Sequence, residues 1–317
     1  MDGLIELDKR LWQLSLIGTS DDSYATGYII DDEKKVLIET GASPSNPAIH
    51  EALETLKIRP EELDAVIVTH IHLDHAGGAG LLLEQCPNAE LLVHPKGAQH
   101  LIDSSRLEAS ARQVYGPAFE DLFAPIKDIP AERVKLMEDN SSYMIGPDRN
   151  LNFHHAEGHA LHHFVVMDSQ TGSLFTGDAA GMCYPLLQEH YNVDLVLPAT
   201  TPNQYDPEAL ESFLKQMLQL KPKRICFTHF GCHEDPDWVA KEVLHWLPLF
   251  STQALEHYRQ HHRLESLKEF LLENILDVLQ QRGVPKDNEA LNKLIFDTDL
   301  NAQGIAAYAK RLAKNKE

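Results

Sequence analysis

The chain has little cysteine: four in 317 residues (Cys86, Cys183, Cys226 and Cys232), none in CxxC spacing. That excludes a disulfide framework and a zinc knuckle, and predicts reduced thiols and a cytoplasmic protein. Positive charge is also scarce: 28 Lys and Arg stand against 48 Asp and Glu, a formal net charge of −20. A surface so acidic repels phosphate, so no nucleic acid and no membrane is expected as a partner. No apolar run approaches the roughly 20 residues that span a bilayer. The start, Met1-Asp2-Gly3-Leu4-Ile5-Glu6, lacks a basic stretch, and no secretory signal is expected. Internal repeats and low-complexity segments are missing, which argues against a solenoid or fibrous chain.

What is present is an ordinary globular composition, 43% hydrophobic and 24% charged, long enough to bury a real core. It also contains 18 histidines, several of them inside short Gly- and Asp-containing strings.

Short apolar runs between turn signals predict strands at 28–30 and 36–38 (a hairpin around Asp31-Asp32-Glu33-Lys34), 65–69, 91–94, 151–154, 163–167, 174–177 and 225–228. Helices are expected over 46–57 and 207–220, where apolar residues recur on one face and Pro60 and Pro207 punctuate the ends. Strands mixed with helices in both halves predict a layered α/β protein. Residues 104–145 are less regular and suggest an insertion over one face. After about residue 237 the strand signals stop. Leu264, Leu267, Leu271, Ile275 and Val278 form a helical stripe broken by Gly283-Val284-Pro285, and 288–313 reads as a helical pair. The domain reading is therefore a catalytic domain over 1–250 and an all-helical extension over 251–317.

The sharpest string is Thr69-His70-Ile71-His72-Leu73-Asp74-His75-Ala76-Gly77-Gly78, directly after the apolar run 65–68. In extended backbone His70 and His72 project to one side. Asp74 and His75 then fall in a turn or first helical turn. Four ligands this close in sequence serve two adjacent ions more readily than one, His70 and His72 on the first, Asp74 and His75 on the second. Three more strings each place one His or Asp beside a Gly after an apolar run: Glu157-Gly158-His159, Phe175-Thr176-Gly177-Asp178, and Phe227-Thr228-His229-Phe230-Gly231. Gathering such residues at strand ends from distant parts of a chain is how a rigid scaffold builds a site.

The order HxHxDH, GH, GD, TH resembles that of the metallo-β-lactamase-fold superfamily, over roughly residues 4–240. The resemblance implies a four-layer αββα sandwich, here of α/β (α+β) class with a helical C-terminal extension, and metals at one edge between the sheets. It implies that His70, His72 and His159 hold one metal, that Asp74, His75 and His229 hold a second, and that Asp178 bridges both. The string looks most like the glyoxalase II and quorum-quenching lactonase branch.

Five imidazoles and two carboxylates without a thiolate suit two divalent ions, zinc first, iron or manganese next, and exclude an all-oxygen calcium cage. Water shared by two such ions is deprotonated near neutral pH and becomes a nucleophile, with a metal taking up the charge that develops on a substrate carbonyl. The expected function is a dinuclear metal-dependent hydrolase acting through a bridging hydroxide on a small-molecule acyl substrate, an ester, lactone or thioester. Asp74 and Asp178 are the expected catalytic carboxylates.

Three stretches depart from the relatives. Gly158-His159-Ala160-Leu161-His162-His163 replaces their usual GHTxGH, leaving His163 as an outer-shell candidate and His162 as structural or solvent-facing. Glu39 stands where they usually have Asp, which predicts a rearranged outer shell. Tyr184 is a catalytic candidate for orienting a substrate carbonyl, although its offset from Asp178 differs from that in the lactonases; packing is the competing role. Apolar segments 184–187 and 193–197 line a pocket or form core strands. His257, His261 and His262 read as a solvated or interface face. The alternative functions are a mononuclear iron persulfide dioxygenase and, against the charge, a nuclease-type metallohydrolase. The extension is expected to cap the site or to make a homodimer.

Overall fold

Most of the apolar runs become strands of two sheets, and the alternation of their side chains decides which core each face builds. The computed structural model describes residues 3–16, 25–200 and 204–314; Met1 and Asp2 lie outside them. The first sheet takes seven strands in sequence order: β1 (Leu4–Asp8), β2 (Leu11–Leu16), β3 (Ala25–Asp31), β4 (Lys35–Ile38), β5 (Leu63–Ile67), β6 (Glu90–Val93) and β7 (Val134–Leu136). Pairing is antiparallel up to β4 and parallel from β4 to β7. The parallel part needs crossovers, which α1 (Asn46–Thr55), α2 (Leu73–Ala76), α3 (Ala79–Gln85), α4 (Pro95–Ile102), α5 (Ser105–Tyr115) and α6 (Phe119–Phe123) occupy.

The second sheet uses β8 (Ser142–Gly146), β9 (Arg149–His155), β10 (Phe164–Asp168) and β11 (Ser173–Gly177). After the two-stranded β12 (Met182–Cys183) and β13 (Val196–Leu197), it adds β14 (Arg224–Phe227) and β15 (Gly231–His233), in the order β15-β14-β11-β10-β9-β8. The remaining helices are α7 (Pro185–Tyr191), α8 (Pro207–Gln219), α9 (Pro236–Pro248), α10 (Ala254–His261), α11 (Leu264–Gln281) and α12 (Asn292–Lys314).

Residues of the central strands are apolar on both faces because both faces are covered. Val66, Leu91 and Val93 pack with Ile49, Leu53, Leu82, Leu83 and Leu101 of the helices. Their neighbours Ala65, Ile67 and Leu92 pack with Leu151, Phe153, Phe164, Val166 and Phe175 of the second sheet. Helix, sheet and sheet are thus layered as the α/β sandwich reading requires. Among these strands runs one buried ion pair: Arg149 donates through Nε and Nη2 to the two oxygens of Asp168 at 3.0 and 2.6 Å. The geometry is bidentate, and both groups are fully buried.

Two compact units divide the chain. The first consists of Met1–His155, His162–Gly177 and Pro222–Glu234 and holds both large sheets and α1–α6. The second consists of Ala156–Leu161, Asp178–Lys221 and Asp235–Glu317 and holds β12, β13 and α7–α12. The helical character expected from 251 onward is present, but two of its details differ. Residues 288–313 form one long helix, α12, after a short 3-10 turn at Glu289–Leu291, where a pair was expected. On α11 the buried residues are Leu267, Leu271, Ile275 and Leu279, while Leu264 is 40% exposed. A four-residue step keeps that line on one face, and it is covered within the chain by packing against α10 and α12. The irregular stretch 104–145 contains α5, α6, β7 and the start of β8.

Candidate metal centre

Strands β4, β5 and β6 run parallel, so the residues following them leave the sheet at one edge, where open α/β sheets place their ligands. Glu39 follows β4, with a left-handed φ of 65° and its N–H bonded to the carbonyl of Ile67. Thr69 and His70 follow β5 and are buried. His72 is the N-cap of α2, and Asp74, His75 and Ala76 form the helical turn. The expected strand over 65–69 stops at Ile67, so His70 stands in a bend rather than in extended strand, while Asp74 and His75 do fall in the expected helical turn.

Each imidazole is fixed by its neighbours. Glu39 is almost fully buried; its Oε1 accepts from the Thr69 N–H at 2.6 Å and its Oε2 lies 2.6 Å from His75 Nδ1. A carboxylate only accepts, so Nδ1 carries the proton and Nε2 of His75 keeps its lone pair. Glu39, expected to mark a rearranged outer shell, supports His75 with one oxygen and the Thr69 backbone with the other. His70 Nδ1 is 3.2 Å from Thr69 Oγ1, and its Nε2 faces His72 Nδ1 at 2.7 Å. Ring nitrogens so close either share a proton or aim lone pairs at a common cation. His163 stacks on His70 with centroids 4.6 Å apart. His162 is buried rather than solvent-facing, with its ring edge-on to His72 at 5.5 Å.

The last string arrives on β14. His229 sits in the turn between β14 and β15, where Phe230 and Gly231 both have positive φ, 79° and 86°. Tyr28 of β3 holds that turn by donating its hydroxyl to the carbonyl of Phe227 at 2.5 Å, with that of Gly231 at 3.1 Å. Asp74 Oδ2 is then 3.5 Å from His229 Nε2 and 3.7 Å from His75 Nε2. Ligand atoms of Asp74, His75 and His229 all lie within 4.8 Å of one another. Donors sharing a tetrahedral ion at about 2.0–2.2 Å stand about 3.3–3.6 Å apart, so this set fits a divalent cation. No cysteine joins such a group among the described residues. Cys226 and Cys232 instead face each other across β14 and β15 as free thiols with sulfurs 2.9 Å apart, a pairing their sequence spacing did not suggest.

In the second unit His159 and Asp178 come together, Nε2 to Oδ2 at 3.4 Å. His159 Nδ1 donates to the carbonyl of Ala199 at 3.1 Å, which again leaves the Nε2 lone pair for a metal. Gly158, at φ 129°, lets this loop lie against α8: a β-carbon there would stand 2.6 Å from Leu210 backbone atoms. Tyr184 is buried, and its hydroxyl donates to Asp297 of α12 at 3.0 Å. Burial, with the Asp297 carboxylate beside it, pushes this phenol well above its usual pKa and keeps the proton on it. Of the two apolar segments after Asp178, one forms α7 and the other forms β13, paired with β12. The rings of His257 and His261 on α10 lie 4.4 Å apart and tilted by 38°, whereas His262 turns off the helix with φ 54°. The contributions of Thr69, Tyr28 and the Ala199 carbonyl carry no motif in the sequence.

A family model described as the metallo-beta-lactamase superfamily matches residues 21–229. The chain belongs to that superfamily. The metallo-beta-lactamase fold-containing protein ST1585 of Sulfurisphaera tokodaii is 31% identical over 211 residues, 65% of this chain and 73% of that protein. Exodeoxyribonuclease WalJ of Streptococcus pneumoniae is 27% identical over 142 residues, 41% of this chain and about half, 51%, of the nuclease. Among solved structures, the archaeal superfamily protein ST1585 from Sulfolobus tokodaii matches with a TM-score of 0.67 at 24% identity, covering 94% of this chain and 98% of its own. The inverting sec-alkylsulfatase Pisa1 from Pseudomonas sp. matches with a TM-score of 0.61 at 16% identity, over 96% of this chain and 50% of that one. At these identities the structural likeness is one of fold. The metallo-beta-lactamase sandwich with C-terminal helices, and its His/Asp cluster able to hold a metal, are therefore established for this chain.

Proposed function

We propose that this superfamily member is a dinuclear metal-dependent hydrolase of small activated acyl compounds, esters, lactones or thioesters, with zinc as its metal. In this reading His70, His72 and His159 take one ion, Asp74, His75 and His229 the other, and Asp178 is shared. The observation that carries it is the triad Asp74, His75 and His229, whose donor spacing suits one cation and whose His75 is oriented by a buried carboxylate. Chain continuity supports the rest. Asp178 directly follows Gly177, which packs so tightly on Thr69 and His163 that a β-carbon would stand 2.3 Å from Thr69 Oγ1. His159 lies in a short loop between β9 and His162, whose ring is parallel to that of His70 at 6.2 Å.

Two bound divalent ions would supply acidified water and positive charge opposite a developing oxyanion. The chain's own residues prepare for them. Glu39 and the Ala199 carbonyl keep the protons of His75 and His159 on Nδ1, away from the ligand atoms. Asp74 and Asp178 supply negative charge to balance the cations.

Elemental analysis of the purified protein, combined with a panel of acyl lactones, esters, thioesters and single-stranded DNA, tests this reading. The expected result is two ions per chain and turnover of at least one acyl substrate, lost in His72→Ala and Asp178→Ala. One iron per chain with oxygen uptake on a persulfide would replace it with a dioxygenase. Cleavage of DNA alone would replace it with a nuclease.

A further inference from the structure

The buried polar residues of α12 are the starting point. A helix face packed in a core is normally apolar, yet α12 buries Asp297, Thr298 and Asn301 beside Leu294, Ala302 and Ile305. Buried polar groups persist where they are hydrogen-bonded. Asp297 takes the Tyr184 hydroxyl and lies 2.8 Å from Lys293 Nζ, and Thr298 donates to the Leu294 carbonyl inside its own helix. Asn301 reaches further. Its Oδ1 accepts the backbone N–H of Thr200 at 2.8 Å, and the Thr200 hydroxyl lies 2.8 Å from the Asn301 carbonyl and 2.9 Å from Oδ1.

The N–H of Thr200 and the carbonyl of Ala199 belong to the same peptide group. That carbonyl is the acceptor for His159 Nδ1–H. A trans peptide is planar, with its C=O and N–H pointing to opposite sides, so fixing the N–H fixes the direction of the C=O. One line of hydrogen bonds therefore runs from His159 through the Ala199–Thr200 peptide to Asn301, and polarisation along such a line strengthens each member.

We propose that Asn301 is a positioning residue for metal binding: through the Ala199–Thr200 peptide it sets the ring orientation and tautomer of His159. The inference rests on the reading of His159 as a metal ligand. It makes the C-terminal helix part of the apparatus that prepares a ligand, in addition to whatever it covers.

The test compares three variants of the full chain, with metal removed and zinc returned in competition with a chromophoric chelator. Asn301→Leu keeps the volume and loses the acceptor. Asn301→Asp restores the acceptor. Thr200→Val loses the hydroxyl contact but keeps the N–H. Partners one step beyond a metal ligand are worth about 10–100-fold in affinity. Asn301→Leu should lose about tenfold or more for one of two ions, Asn301→Asp should recover most of it, and Thr200→Val should stay within about threefold of the parent. A structural role alone would make Asn301→Leu and Thr200→Val weaken binding alike, and that result overturns the proposal. So does parental affinity in a folded Asn301→Leu. Should that variant fail to fold, Asn301→Ser, too short for the 2.8 Å contact, takes its place.

A second readout separates this inference from the metal reading. Nitrogen-15 histidine spectra of the metal-free protein should show His159 protonated at Nδ1 in the parent and a mixture of tautomers in Asn301→Leu. If the parent takes up no zinc, the metal reading falls while the tautomer comparison still decides the relay.

Discussion

Glu39 and His75 meet at 2.6 Å with both side chains out of solvent, and the other oxygen of the same carboxylate holds the amide of Thr69, the residue before His70. One acid thus anchors the backbone leading to one candidate ligand and orients the ring of another. Glu39→Gln separates these tasks. Its amide oxygen still takes the Thr69 N–H, but its NH₂ faces His75 Nδ1 and favours the tautomer with the proton on Nε2. Zinc affinity should fall about 10–100-fold with little loss of stability, measured by chelator competition and urea unfolding. Glu39→Ala should show both losses, including about 1–3 kcal/mol for the stranded Thr69 N–H.

Gly177 is required for two reasons that a paired substitution distinguishes. Its φ is 50°, and a β-carbon would overlap Thr69 Oγ1 and stand 2.8 Å from His163 Nε2. Gly177→Ala should cost about 2–4 kcal/mol, left-handed strain plus overpacking, and should weaken metal binding. Gly172→Ala meets only the flexible Lys223 side chain at a similar φ of 73°. It should cost about 1–2 kcal/mol and leave the metal unaffected. Thermal denaturation with and without zinc separates the two.

Removing Asp168 leaves the Arg149 guanidinium, 1% exposed, without its bidentate partner. Asp168→Ala should therefore lose about 3–5 kcal/mol in urea unfolding at pH 7. A loss below about 1 kcal/mol would show that Asp32, 3.3 Å from Arg149 Nη1, suffices to balance the charge.

Burial pushes the Cys86 thiol up to about 11, against the opposing pull of Arg133. The thiolate is the reactive form, so at pH 8 only about one molecule in a thousand is competent at this site. Iodoacetamide should label Cys183 and Cys232, which are half-buried, and spare Cys86 and Cys226 until the protein is unfolded. Residual Cys86 labelling should rise about tenfold per pH unit towards 11. Peptide mass mapping gives the answer directly.

The candidate site was legible as a His/Asp cluster because a metal needs particular side chains, and side chains are what letters record. The apolar run 65–68 announced a strand ending just before His70, and Asp74 and His75 a helical turn after it. The sandwich was legible for a related reason: apolar runs such as 65–68 are buried on both faces. What could not be read has no letter of its own. The carbonyl of Ala199 is common to every residue type, and only the fold shows that His159 reaches it. Residues 288–313 read as a helical pair, yet Asp297, Thr298, Asp299 and Asn301 all belong to one helix. In α12 they are mid-helix, and Asp297 and Asn301 serve as buried hydrogen-bond partners. His162 read as structural or solvent-facing; its neighbour Leu161 is exposed, while the His162 ring turns inward against His72.

Tyr28 is far from every ligand string in the sequence, yet its phenol grips both ends of the turn that presents His229. A drift to phenylalanine there would preserve every letter of the recognition pattern while loosening the loop beneath it. A survey that counts intact patterns would score such a descendant as competent, because a phenol that holds the loop from another strand lies outside what the count reads.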